Sequence, residues 1–186
     1  IEHTDKDPRF KTCFAWLEKK DYLSNKIYSY VLTLLKHDDS DVCWQVLYFF
    51  EQLQLPGWRT KKIVPLLIKF LQDENKQVRM KASELFTSID DEIPANDVRK
   101  ILELLKHKND DIAWQAVNIL QNISIADPGA LVNAIMELLD NENPPIRKKA
   151  AVAVRMVGDD LPRNLAVKLT GLVKNDKDMG VRECAI

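Results

Sequence analysis

The sequence predicts an all-α fold of the α-solenoid type, a one-dimensional stack of antiparallel helix pairs, and three observations predict it. A motif of an apolar helix end, an acidic or Asn-rich loop and a β-branched residue recurs at a near-constant interval. An Asp or Asn stands three residues before each β-branched position, and the residues after it keep a helical apolar period. Glycine is scarce, 5 in 186 residues, which speaks against an all-β fold with many tight turns.

The motif is read by aligning LLKHDDSDVCWQVL (34–47), FLQDENKQVRMKAS (70–83), LLKHKNDDIAWQAV (104–117) and LLDNENPPIRKKAA (138–151). The anchors Val42, Val78, Ile112, Ile146 and Val181 follow one another at 36, 34, 34 and 35 residues, and Phe10, 32 residues before Val42, is expected to open the series. The preceding Asx residues are Asp7, Asp39, Asn75, Asn109, Asn143 and Asp178. Such side chains accept a backbone N–H that the first helical turn leaves free. Pro8 and Pro144 follow two of them, at the position where a helix does not need its N–H. The second helix of each pair, helix B, therefore starts just before its anchor.

From each anchor the positions +4, +7, +8 and +11 are mostly apolar: Val46, Phe49, Phe50, Leu53; Ala82, Leu85, Phe86, Ile89; Ala116, Ile119, Leu120, Ile123; Ala150, Ala153, Val154, Val157. That spacing buries one face of a helix. The first helix of each pair, helix A, is expected near 25–36, 60–72, 96–106, 130–140 and 163–174, with Pro56, Pro94, Pro128 and Pro162 punctuating successive pairs. The expected organisation is one domain over 1–186: a half repeat at 8–23, repeats at 24–57, 58–95, 96–129 and 130–162, and a partial repeat at 163–186. A chain that opens on Ile1 and stops at Ile186 reads as part of a longer protein.

Composition narrows the function classes. Lys and Arg number 27 against 28 Asp and Glu, a net charge of −1, which lacks the basic surplus usual in nucleic-acid binders. No apolar run is long enough to cross a bilayer, and no secretory signal opens the chain. Cys13, Cys43 and Cys184 are odd in number and have no metal-ligand spacing, so a reducing cytoplasmic setting is expected. No nucleophile motif, Gly-rich phosphate loop or Cys-x-x-Cys is present, so no catalytic residue, metal or cofactor is assigned and the chain is expected not to be an enzyme.

Residues 63–86, IVPLLIKFLQDENKQVRMKASELF, resemble a HEAT repeat: a Pro in helix A (Pro65), an acidic loop, then Val78-Arg79-x-x-Ala82. Ile146-Arg147-x-x-Ala150 matches the same pattern and Val181-Arg182 begins it, while Cys43 and Ala113 replace the Arg in the other two copies. The resemblance spans roughly residues 24–186, about four and a half to five repeats. It implies a right-handed superhelix whose B helices line a concave surface, a non-catalytic role as scaffold or sensor, and a protein or extended peptide as partner. Arg147 would then be the family's structural arginine. Tetratricopeptide repeats share the 34-residue period but need small residues in a register this chain lacks, and armadillo repeats are the nearer rival.

Positions +2, +6 and +10 form a stripe on the B helices away from the core: Trp44, Tyr48, Gln52; Met80, Glu84, Ser88; Trp114, Asn118, Asn122; Lys148, Val152, Met156. Trp44-Gln45 and Trp114-Gln115 recur 70 residues apart, and both copies follow Leu-Leu-Lys-His, as though a two-repeat unit had been duplicated. Tryptophan off the core face commonly marks a contact site, whereas packing between neighbouring B helices is the structural alternative. The candidate partner-binding residues are Trp44, Gln45, Tyr48, Gln52, Glu84, Trp114, Gln115, Asn118 and Asn122. Lys148, Lys149 and Arg155 are candidate contacts for an anion or acidic partner, against the plainer reading of a solvated helix face.

Two other functions stay open at this level. HEAT-like DNA glycosylases use a basic face with aromatic residues and a catalytic acid, for which Glu84 is the one stripe carboxylate. Bilin-lyase-like HEAT proteins form the other alternative. His37 and His107, at equivalent helix-A ends, are cation-capable side chains suited to a helix C-terminus through its dipole and free carbonyls. The His-Glu pairs with which HEAT-type hydroxylases hold iron are absent.

Overall fold

The computed structural model describes residues 25–35, 39–52, 57–157 and 161–185, and the expected half repeat at 8–23 lies outside them, as do His37, Leu53 and Pro56. Ten α-helices alternate in direction within this range. In chain order they are α1 (Asn25–Leu34), α2 (Ser40–Gln52), α3 (Gly57–Phe70), α4 (Lys76–Thr87), α5 (Ala95–Glu103), α6 (Asp110–Asn122), α7 (Val132–Leu139), α8 (Pro144–Ala153), α9 (Arg163–Asn175) and α10 (Met179–Cys184). Single 3-10 turns extend α5 and α8 and lead into α7.

The helices form five pairs, α1 with α2 through α9 with α10. Each even-numbered helix packs on the even helices before and after it, and from α3 onward each odd helix does the same with odd ones. No substantial packing links pairs further apart among the described residues, so the architecture is an α-solenoid. The core runs as one band between the two helix layers. Val78 and Val181 are fully buried, Val42 and Ile112 nearly so, and Ile146 is half-buried. Phe49, Phe50 and Phe86 are among the largest wholly buried side chains, each contributing on the order of 2–3 kcal/mol of transfer free energy.

The predicted caps form where the backbone offers a donor. Asp39, Asn75, Asn109 and Asp178 accept from the N–H of Asp41, Gln77, Asp111 and Val181 at 2.8–3.0 Å. Asn143 makes no such bond. Pro144 and Pro145 fill the first two helical positions and carry no N–H, so proline has replaced the cap.

His107 Nδ1 accepts the Asn109 N–H at 3.0 Å and braces the loop that follows its helix. Asp73, Asn141 and Asp176 take the same acceptor role in their own loops. Pro65 stands inside α3 on its exposed side. The connections between pairs also touch: Ile93 N–H donates to Ser124 O at 2.8 Å and Ala126 N–H to Ile93 O at 3.2 Å.

Candidate functional site

The even-numbered helices are the B helices of the sequence pattern, and their +2 and +6 positions reach the surface. Three large apolar side chains there are exposed on successive B helices: Tyr48 at 36%, Met80 at 45% and Trp114 at 38%. Trp44, Met80, Trp114 and Lys148 occupy the same +2 position of four successive repeats and so form one column. Trp44 is half-buried against the core, and its ring stacks on Tyr48 at 5.6 Å with an interplanar angle of 6°. The two tryptophans thus differ: one indole serves packing and presentation of Tyr48, while the other stands more open.

Asn118 and Asn122 are exposed one and two turns beyond Trp114. Asn122 Nδ2 donates to Asn118 O at 2.7 Å and to Asn118 Oδ1 at 3.3 Å, so the two amides are oriented by their own helix. Glu84 is exposed on α4 between the aromatic positions.

Several candidates sit elsewhere than expected. Gln45 is buried, at 7% exposure, because +3 points between neighbouring B helices rather than outward. Gln115, at the equivalent position, is half-buried, and its Oε1 is enclosed without a hydrogen-bond partner among the described residues. Lys149 is 3% exposed. Its Nζ pairs with Asp110 and lies 5.7 Å from the centre of the Trp114 ring, so it is committed inside the stack and does not offer a surface charge to an anion. The side chains of Gln52 and Arg155 lie outside the described set.

Lys81 repeats the arrangement one two-repeat unit earlier. Its Nζ lies 5.6 Å from the Tyr48 ring centre and pairs with Glu51 at 3.1 Å and Glu84 at 2.7 Å. Burial works against its charge, but its hydrogen bonds to Glu84 and Glu51 outweigh that and raise it above the ordinary lysine value.

The +1 arginines act at the loop end. Arg79 Nη1 donates to the carbonyls of Asp73 and Glu74 at 2.8 and 2.9 Å, and its Nη2 reaches Asp111 of the next repeat at 3.0 Å. Arg147 donates likewise to Asn141 and Glu142 O and forms a two-pronged pair with Asp176, both contacts at 2.8 Å. Asp176 has 4% of its side chain exposed. The paired guanidinium holds its carboxyl below the usual carboxylate range, overcoming the opposing effect of burial, and the hydrogen bonds to Asp176 raise Arg147 in turn.

Sequence reading named Arg79, Arg147 and Lys149 but missed Lys81 and the carboxylates of neighbouring repeats with which all four pair. The signal was present as Lys at +3 in the repeats that follow each Trp-bearing repeat, with Glu51 and Asp110 opposite. A surface cleft of about 510 Å³ beside α9 is lined in part by Arg147, Val167, Leu172 and Asp176. Its arginine and aspartate are already paired with each other. Among the described residues no cluster of His, Cys, Asp or Glu is suited to a metal, and no helix is long and apolar enough to cross a membrane.

Comparison with known proteins places this geometry. A family model described as HEAT repeats matches residues 98–186, and a second, described as HEAT repeat, matches residues 63–91. No curated protein sequence matches the chain. Among solved structures the chain is similar to the crystal structure of an engineered protein from a structural-genomics programme, with a TM-score of 0.51 and 22% identity. That match covers 87% of this chain and 77% of the engineered one and speaks to the fold alone. With both models falling on the helix pairs described above, the chain belongs to the HEAT-repeat family.

Proposed function

We propose that this segment is a non-catalytic binding module that holds an extended peptide or a protein surface along the outward face of its B helices, the concave side by resemblance to the family. One observation carries the proposal: Tyr48, Met80 and Trp114 stay exposed on three successive B helices while the cations beside them, Lys81, Arg79 and Lys149, are taken up by carboxylates. An uncharged row of large side chains excludes water on contact, and aromatic anchors of this kind concentrate binding energy. Asn118 and Asn122 add amide groups that can bond a partner's backbone. A reducing, intracellular setting belongs to the same proposal.

The nucleic-acid alternative is weakened: of the repeat-4 cations Arg147, Lys148, Lys149 and Arg155, Lys149 is paired inside the stack and Arg147 is bound to Asp176. No observation favours the bilin-lyase alternative.

The test is affinity capture followed by mass spectrometry, comparing the wild-type chain with a Tyr48→Ala, Trp114→Ala double variant. The expected result is loss of the captured partner with the helical circular dichroism unchanged. Capture that is indifferent to both changes, or that falls steeply with salt and needs nucleic acid, overturns the reading.

A further inference from the structure

Acids and bases balance along most of the B-helix face and fail to balance at one place. Asp110, one turn before Trp114, meets Lys149, and Asp111 meets Arg79, one acid to one base. Beyond Trp114 the same column continues as Lys148 and the exposed Glu183, opposite in sign on neighbouring helices, so they add no net charge. Between Tyr48 and Trp114 the count differs. Lys81 faces two carboxylates there, Glu51 at 3.1 Å and Glu84 at 2.7 Å. Burial opposes the charge of Lys81, but its hydrogen bonds to Glu84 and Glu51 outweigh burial and hold its proton above the ordinary lysine value. One negative charge is therefore left over.

The surplus sits on Glu84. Glu51 gives both of its oxygens to Lys81 at 3.1 Å, whereas Glu84 gives Oε2 alone. The Glu84 side chain is 53% exposed against 28% for Glu51, and no further cation pairs with it among the described residues. Lys76, on the same side of α4, stands two turns away, about 11 Å along the axis and beyond the screening length of about 8 Å in physiological salt. The loop that follows α4 adds Asp90, Asp91 and Glu92 and no base. The ammonium of Lys81 also lies 5.6 Å from the centre of the exposed Tyr48 ring, so the open carboxylate has an aromatic neighbour.

Taking the peptide-binding reading as its basis, we propose that the occupant is an extended segment with one basic side chain on Glu84 beside Tyr48 and one uncharged apolar side chain on Trp114. Charge complementarity argues for this occupant. An apolar or acidic group over Glu84 would strip water from an uncompensated carboxylate, whereas a lysine or arginine pairs with it and lays its aliphatic stem along the neighbouring apolar surface. At Trp114 the ammonium of Lys149 already lies 5.7 Å from the ring centre and already answers Asp110, so a second base gains nothing there. Glu84 and Trp114 stand on successive B helices and one turn apart along them. A helix step of about 9 Å with a turn of about 5 Å puts them about 10 Å apart, which an extended chain spans in about three residues.

Random displayed peptides of about 12 residues, long enough for that span, provide the probe. They are selected on the wild-type chain and on the Glu84→Gln and Glu84→Lys variants. The wild type is expected to enrich peptides with a lysine or arginine about three positions from a large apolar residue. Glu84→Gln is expected to keep the apolar residue and lose the basic one. Glu84→Lys is expected to enrich an acidic residue in its place. A peptide selected on the wild type should bind Glu84→Gln about fivefold more weakly, and that difference should shrink in high salt.

The same peptide pattern from all three proteins, with enrichment still abolished by Tyr48→Ala and Trp114→Ala together, overturns the basic-residue proposal and leaves the binding stripe standing. No enrichment above a blank support, or enrichment indifferent to the aromatic variants, overturns both. Circular dichroism is recorded first. Where Glu84→Lys has lost its helical signal, Glu84→Gln decides alone, since it keeps the size of the side chain and removes only its charge. Trp114→Ala by itself replaces the double aromatic variant on the same condition. A basic preference unchanged in Glu84→Gln overturns the proposal.

Discussion

Two kinds of junction alternate along the stack. Repeats 1 and 2, and again 3 and 4, meet through a lysine whose ammonium lies over an aromatic ring of the preceding B helix and pairs with a carboxylate of that helix. Repeats 2 and 3, and again 4 and 5, meet through an arginine that binds the carbonyls of its own loop and an aspartate of the next repeat. The lysine junctions lie beside the proposed stripe, and the arginine junctions lie at the loop edge. The difference separates two tasks: the arginines set the geometry of the stack, and the lysines support the aromatic surface while cancelling its charge.

Breaking the arginine junctions should have the largest effect on stability. Arg147→Ala leaves the nearly buried Asp176 unpaired and two loop carbonyls without their donor, so a loss of about 3 kcal/mol is expected in urea unfolding. Arg79→Ala breaks a pair whose aspartate is 43% exposed, and a loss of about 2 kcal/mol is expected because water can take over part of the Asp111 interaction. A larger loss for Arg79→Ala than for Arg147→Ala would contradict this ranking.

The same junction has a pH signature. Asp176 titrates lower in the folded chain than in the unfolded one, so its pair stabilises fully above the unfolded carboxyl value of about 4. That contribution is lost as the pH falls through the lower folded value. The stability difference between wild type and Asp176→Asn should therefore be constant near neutrality and shrink below about pH 4, measured by thermal melts across that range.

The lysine junctions should show the smallest stability change and the clearest effect on binding. Lys149→Met keeps the packed stem and removes only the charge, so unfolding should shift by no more than about 1 kcal/mol. It also leaves Asp110 uncompensated beside Trp114, and peptides with a basic residue near the centre should bind more tightly, read by fluorescence anisotropy. A stability loss as large as that of Arg147→Ala would erase the distinction between the two junction types.

Much of the fold was legible from residue order because its determinants are local. The anchor spacing, the Asx caps and the apolar period each depend on residues within one or two helical turns. The exception at Asn143 was written in the sequence too, since Pro144-Pro145 remove the donors a cap requires. The candidate site was less legible. The tryptophans and Tyr48 could be placed on an outward stripe, but Gln45 was counted among the partner contacts and Lys149 among the anion contacts from nearness to it in sequence. Burial at +3 depends on how closely the next B helix approaches, and nothing within a single helix encodes that distance.

By itself, then, the order of residues determined an array of capped helix pairs and which side of each pair turns inward, because helix periodicity and capping are short-range. Only the tertiary structure decided which charges meet. Lys81 with Glu51, Lys149 with Asp110, Arg79 with Asp111 and Arg147 with Asp176 are all partners about 30 to 40 residues apart. Their pairing follows from the lateral offset of one helix against the next, set by side chains packing across the whole junction.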